Sequence, residues 1–474
     1  MAISARQKPD RAEDTLFRQL DAKVRAGMAR YAIPGAAVAV LYRGTEYVQG
    51  YGVTNVDYPV EVDGDTLFHI GSTTKTVTGT AVMRLVEQGK LDLNAPVRTY
   101  LPRFRTADES VATRVTVRQL LKHSAGWLGD YFEDTGRGDD AITKYVAGME
   151  RLPQLTPLGR TFQYNNAAIV VAGRLIELVT GRAYEDAVRD LVLEPLALEH
   201  SRFFDDQIVG FNVAAPHVVD NEKAAVEPRL WELPRALAPA GGLISSARDQ
   251  LAYGRFHLGD GTAREGARLL AEQSLVAMRS NPGPGGTVMV ELDGIGVTWM
   301  LRPSAQGVQI VQHGGSTPGE YSGFIMVPER ELALTVLTNS EGGPKLVRDL
   351  VVDDWALKRF AGVSNLPAVA RELARDELAQ YEGRYVGRAI GFTGEFEETF
   401  FDLRADRGQL RMSGGLGMSA AGSQELGLAF YRDDYVLVRD PGGKVDGFRG
   451  NFERDARGRV AWLRLHGRLY EHIG

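Results

Sequence analysis

The order of patterns along the chain predicts an α+β domain followed by a small all-β domain, and three observations carry that prediction. Two strand-like runs near the start, Ala36–Tyr42 and Glu46–Val53, are separated by a long helical middle from three more, Val308–Gln312, Tyr321–Val327 and Leu332–Leu337. After a composition break at Ala361–Pro367, short strand-like runs alternate with strong turns to the end. The 474 residues also exceed what one hydrophobic core usually holds. The expected domains are 1–362 and 370–474.

Residues 12–31 place Leu16, Leu20, Val24, Met28 and Tyr31 at helical spacing. Ile33–Gly35 breaks that helix, and Arg43-Gly44 turns the first two strands into a hairpin. Helices follow at 77–88, 117–121 and 167–180, with Gly89 and Gly181 as stops, because glycine takes the left-handed conformation without a side-chain clash. The late strands turn at Gly315–Gly319 and Pro328–Arg330, and Pro344–Phe360 is helical again. Early and late strands should therefore share one antiparallel sheet. Beyond the break, turns at Asp406–Gly408, Asp440–Gly443 and Asp455–Gly458 separate runs such as Tyr381–Tyr385, Leu426–Tyr431 and Val460–Leu465, a pattern of a small barrel or sandwich.

Composition excludes several classes. A net charge of -6 gives no basic surplus for nucleic acid or an anionic membrane. The chain has no cysteine, which removes disulfides, thiolate metal sites and a cysteine nucleophile together. The polar start Met1–Asp10 lacks the apolar core of a secretory signal, and no run is long enough to span a bilayer. The expectation is a soluble, cytoplasmic protein, with a homo-oligomer left open.

Chemistry concentrates in three places. Ser72 and Lys75 form the one S-x-x-K in the chain, at a helix start that puts both side chains on one face. A lysine so placed can take the serine's proton if its own charge is suppressed, and the helix dipole favours a developing oxyanion. Tyr164 and Asn166 form the one Y-x-N, just before the helix at 167–180. A phenol beside an ammonium can have its pKa lowered and act as base or acid, while Asn166 can donate to a substrate carbonyl and accept from Lys75. The third place is Val311–Gly319, where His313, Gly314, Gly315 and Ser316 end a strand. Glycines there admit a substrate to the strand edge, and the Ser316 N–H can pair with that of Ser72 as an oxyanion hole. Taken singly, the same residues read as a helix cap with a solvated lysine, a polar helix entry and a structural histidine.

Together, and in that order, the motifs resemble the serine β-lactamase and penicillin-recognising family, on its class C and esterase side. The resemblance covers about residues 15–360 and includes Leu85–Leu93, Leu101-Pro102, Leu120–Trp127, Pro239–Asp249 and Leu337–Ser340. It implies a five-stranded antiparallel sheet flanked by helices, beside an all-helical region, with the site between them. It also implies roles: Ser72 the nucleophile, Lys75 its activating neighbour, Tyr164 the general base and acid, and Asn166 a substrate-orienting group. The strand at His313-Gly314-Gly315 would stand in the third motif's place. The C-terminal region is similar, more loosely, to lipocalin-like barrels that follow members acting on peptides with D-amino acids.

The departures also inform. His-Gly-Gly replaces the usual Lys-Thr-Gly, so the permanent cation that binds a β-lactam carboxylate is missing, since an unperturbed histidine is mostly neutral at pH 7. Trp127 replaces a commoner leucine and bears on the pocket rim, as does Leu158-Gly159. The expected activity is serine acyl hydrolysis of an ester or lactone, with weak or no β-lactamase action and no cofactor or metal. A D-stereospecific aminopeptidase or amidase is the alternative, with the acidic stretch Asp130–Asp140 either a solvated loop or a receiver for a cationic amine. A non-catalytic ligand sensor on the same scaffold is the second alternative, disfavoured because no catalytic position is lost. A metal hydrolase lacks any H-E-x-x-H setting.

Overall fold

The computed structural model describes residues 11–220, 223–226, 233–263, 266–414, 425–440, 442 and 445–473. The polar start Met1–Asp10 and part of the turn at Asp440–Gly443 lie outside the described residues.

Helix α1 (Arg11–Tyr31) leads into the hairpin β1 (Gly35–Tyr42) and β2 (Thr45–Gly52). The chain then forms helices α2 (Thr74–Glu87), α3 (Asn166–Thr180) and α4 (Ala247–Leu258), joined by shorter helical pieces. It returns as β3 (Gly294–Ile295), β4 (Met300–Arg302), β5 (Ile310–Thr317), β6 (Glu320–Val327) and β7 (Leu332–Thr338). The sheet order is β2-β1-β7-β6-β5-β4-β3, so the first and last long strands are neighbours, paired from Ala36↔Thr338 to Tyr42↔Leu332. The five long strands match the sheet implied by the resemblance; β4 and β3 extend it to seven.

Strand β1 is buried along its whole length because both faces are covered. Ala37, Ala39 and Leu41 join the core shared with α2, α3 and α4, while Ala36, Val38, Val40 and Tyr42 pack under α1 and the helix that begins at Gly343. This period-two split puts the sheet in the middle and explains why β1 reads as a continuous apolar run. From α1, Phe17, Leu20, Val24 and Met28 fill the second core.

A non-regular stretch and a short helix at Arg375–Ala379 lead to eight further strands. These are β8 (Gly383–Ile390), β9 (Phe396–Asp406), β10 (Gln409–Gly414), β11 (Leu426–Arg432), β12 (Tyr435–Arg439), β13 (Val445–Arg454), β14 (Val460–Leu465) and β15 (Arg468–Ile473). They close into an antiparallel barrel, β15 pairing back on β8. Closure removes the exposed edges a sheet of this size would present. Tyr385, Phe401, Phe430, Phe452 and Leu463 fill its interior. Among the described residues, no helix is long and apolar enough to cross a membrane.

Candidate active site

Strand β4 pairs only with Ile310–Gln312 of β5, so the rest of β5, from His313 on, has a free edge. The turn carrying Ser72 occupies that edge. It is a tight 3-10 turn, Gly71–Thr73, at the head of α2. Ser322 of β6 donates to the Ile70 carbonyl (2.7 Å) and hydrogen-bonds with Thr73 Oγ1 (2.8 Å). Thr74 Oγ1 donates to the Gly71 carbonyl (2.7 Å) and accepts from Leu243 N (3.1 Å). The approach to β5 is backbone to backbone. A Cβ on Gly315 would stand 1.9 Å from the Ile70 oxygen and 2.7 Å from Ser72 N, and one on Gly71 (φ +50°) 2.6 Å from Ser316 N. That contact gathers the Ser72 and Ser316 amides at one corner.

One turn along, Lys75 is fully buried, with Nζ 2.9 Å from Ser72 Oγ and donating to the Ala240 carbonyl. Burial pushes its pKa well below the ordinary lysine value; Arg468 adds to this and Asp130 opposes it. Tyr164 faces the same hydroxyl: Ser72 acts on its phenol, and Lys75 Nζ lies 5.0 Å from its ring centre. The expectation that Lys75 lowers the phenol's pKa is overturned. Burial raises Tyr164 to about 12, with Ser72 and Arg468 only partly opposing. The physical reason is the desolvation of the phenolate form in a buried place, the largest influence on Tyr164.

Asn165 caps α3, accepting from Ala168 N (2.8 Å) and donating to the Trp127 carbonyl (2.8 Å). Asn166 donates to Asp130 (2.9 Å) and leaves Lys75 to Ala240, a correction to the expected Asn166–Lys75 bond. His313 is buried beside Tyr164, with ring centres 6.3 Å apart. Its Nδ1–H donates to the Gly314 carbonyl (2.7 Å), and burial followed by Lys75 lowers its pKa to about 3, so it is neutral. Trp127 is fully buried against Phe104 (5.8 Å between rings), so its side chain belongs to the core and not to the rim as expected.

Three further residues meet at the site, two from segments the sequence analysis marked and one, Arg468, that it did not. His123 stacks on Tyr164 (4.7 Å) and accepts from Asn165 N (2.9 Å). Asp130, the first residue of the acidic stretch, binds Asn166 and also Arg468, its Oδ2 accepting from Nε at 3.0 Å. Arg468 comes from the barrel and lies 4.7 Å from the Tyr164 ring centre. His123 lay within the matched Leu120–Trp127 segment, and that was its one signal. Nothing local to Arg468 announces a reach into the other domain. Other carboxylates of the acidic stretch are also engaged: Glu133 by Arg151, Asp139 by Arg235, and Asp140 by Lys144. The solvated-loop reading fits these exposed pairs.

A serine held by a buried amine and a phenol, beside paired amides on a glycine-lined strand, is the arrangement the motifs implied. Residues 20–355 match the family model described as Beta-lactamase. The chain belongs to the beta-lactamase family. Penicillin-binding protein 4 of Amycolatopsis lactamdurans is 35% identical over 362 residues, covering 74% of this chain and 93% of that protein. Among solved structures, SurE is similar over 98% of this chain and 100% of its own, at 27% identity and a TM-score of 0.74. SurE with D-Leu gives 27% identity and 0.73, over 97% and 100%. Both likenesses to SurE extend through the barrel. This chain is thus a member of a serine-hydrolase family with a second, β-barrel domain.

Proposed function

We propose that this member of the family is a serine acyl hydrolase that works through an acyl-enzyme on Ser72. One observation carries the reading: the Ser72 hydroxyl meets a buried amine and a buried phenol at once. With its charge suppressed by burial, Lys75 can keep an N–H on the Ala240 carbonyl and turn its lone pair to Ser72. As Ser72 Oγ attacks the substrate carbonyl, Lys75 takes its proton. The oxyanion is received by the Ser72 and Ser316 amides, on the strand His313-Gly314-Gly315-Ser316. The still-protonated Tyr164 gives its proton to the leaving group and is refilled from the Lys75 ammonium. Water then attacks the acyl group, the amine again taking a proton, and Ser72 regains its own.

An ester or lactone is the preferred substrate, because alkoxide leaves more readily than amine and His313 offers a neutral ring where a lysine is usual. A D-residue amide or peptide is the second reading, favoured by the whole-chain likeness to a protein solved with D-Leu. Ser72→Ala should abolish ester turnover and labelling by a fluorophosphonate; wild-type hydrolysis by that variant would overturn the assignment. Comparing p-nitrophenyl butyrate with D-alanyl p-nitroanilide at equal enzyme separates the two substrate readings, relatively faster anilide cleavage favouring the second.

A further inference from the structure

The barrel meets the catalytic machinery through the two-residue turn between β14 and β15. His466 and Gly467 both take positive φ (49° and 78°), as a tight hairpin turn with the native strand twist requires. The Gly467 carbonyl accepts from Tyr164 N at 2.8 Å, and a Cβ on Gly467 would stand 3.2 Å from Tyr164 Cβ. Just before the turn, the fully buried Arg464 donates to the Phe162 carbonyl and to Thr161 Oγ1, both at 2.7 Å. Just after it, Arg468 places its guanidinium over the Tyr164 ring and grips Asp130 with Nε and Nη2 (3.0 and 3.3 Å). Asp130 Oδ1 in turn accepts from Asn166 Nδ2.

We propose that Arg468 is a positioning residue of the acyl-transfer site, which makes the β14–β15 turn of the barrel a working part of the catalytic centre. The proposal rests on the Ser72 acyl-enzyme reading. One side chain from the second domain orients the phenol directly and orients Asn166 through Asp130, a planar fork that lysine cannot copy. The groups around the Lys75 amine are Tyr164, His123, His313, Asp130 and Arg468. The two histidines are buried and neutral, and the phenol keeps its proton, so Arg468 and Asp130 supply the opposed charges. A strap that merely held the domains together would be indifferent to which half of the pair is removed. A positioning pair beside the base would not be.

The test is the rate at which a fluorophosphonate acylates Ser72, followed against pH on full-length wild type, Arg468→Gln, Arg468→Lys and Asp130→Asn, with a melting curve for each. Arg468→Gln leaves Asp130 uncompensated near Lys75. The acid limb of its profile should move up by about one pH unit, slowing acylation about tenfold on that limb. Asp130→Asn should move the limb the other way. Arg468→Lys should keep the wild-type limb while recovering only part of the rate. Equal losses in Arg468→Gln and Asp130→Asn with unmoved limbs would overturn the proposal. If Arg468→Gln fails to fold, the Asp130→Asn profile decides, an unmoved limb again overturning it. A wild type that is not acylated at all would instead overturn the Ser72 assignment.

Discussion

The two sides of Ser72 are built by different physics. On the sheet side, β5 presents glycines and backbone, and the fit is steric: Gly315 and the Ile70–Ser72 segment touch with no room for a Cβ. On the other side, Tyr164 and Asn166 are held by side chains and charge, through Asp130 and through Arg468 from the barrel. The sheet side fixes where an oxyanion can lie, and does so by backbone fit between two segments far apart in sequence. The other side fixes protonation, and needs three distant segments. Packing sets position and a partly buried ion pair sets charge, so substitutions on the two sides should fail in different ways.

The largest expected effect tests the shared centre. Lys75→Met keeps the bulk of a buried chain but removes the base, so acylation by an activated ester should fall by about 10²–10⁴-fold at unchanged melting temperature. Pre-steady-state acylation kinetics check it, and a loss under tenfold would return the base to Tyr164. Gly315→Ala comes next. The new methyl would strike backbone atoms, so β5 and the Ser72 turn must part, and a displacement near 1 Å costs about 100-fold. Its pH profile should keep its shape, since no charge has changed. A shifted limb in Gly315→Ala would break the distinction between the two sides.

How much could be read from the sequence follows the same division. Ser72, Lys75 and the His313–Ser316 strand were legible because each motif is short and its chemistry is local. The sheet was legible too, except that β3 and β4, of two and three residues, are too short to leave a pattern. The partner of Asn166 is not legible, because the carboxylate it binds, Asp130, lies 36 positions away. Arg468 was invisible, since its contacts with Asp130 span 338 positions and cross between domains. The sign of the Tyr164 shift is not legible in the sequence, because burial, which no motif encodes, outweighs Ser72 and Arg468.

Arg464 sharpens the comparison at smaller cost to the chemistry. Its side chain is fully buried, and its fork is divided between Phe162 and Thr161 on one side and Asn451 and Glu453 on the other. Arg464→Met would leave the Phe162 carbonyl without those donors and is expected to destabilise the protein by about 2–4 kcal/mol. Denaturant melts monitored separately in the two domains should show the loss. If domain docking is a separate function from charge, the variant should keep the wild-type acid limb of acylation while its stability falls.

The smallest effect is expected at His313, despite its place in the third motif. Burial lowers its pKa to about 3 and Nδ1–H is committed to the Gly314 carbonyl, so between pH 5 and 8 it contributes no change of charge. Asparagine can keep a donor near that position, so His313→Asn should alter acylation by less than about tenfold and leave the limb where it was. Its effect on stability has a definite sign. A histidine whose folded pKa is depressed takes a proton only when unfolded, so the folded state loses ground as pH falls below the ordinary histidine value near 6.5. Removing that histidine should therefore flatten the acid side of the stability curve, by up to about 1.4 kcal/mol per pH unit below pH 6. Urea midpoints measured from pH 7 to 4.5 would check it. A steeper acid decline in His313→Asn would mean the ring is charged in the folded protein, restoring at this strand the cation that the sequence lacks.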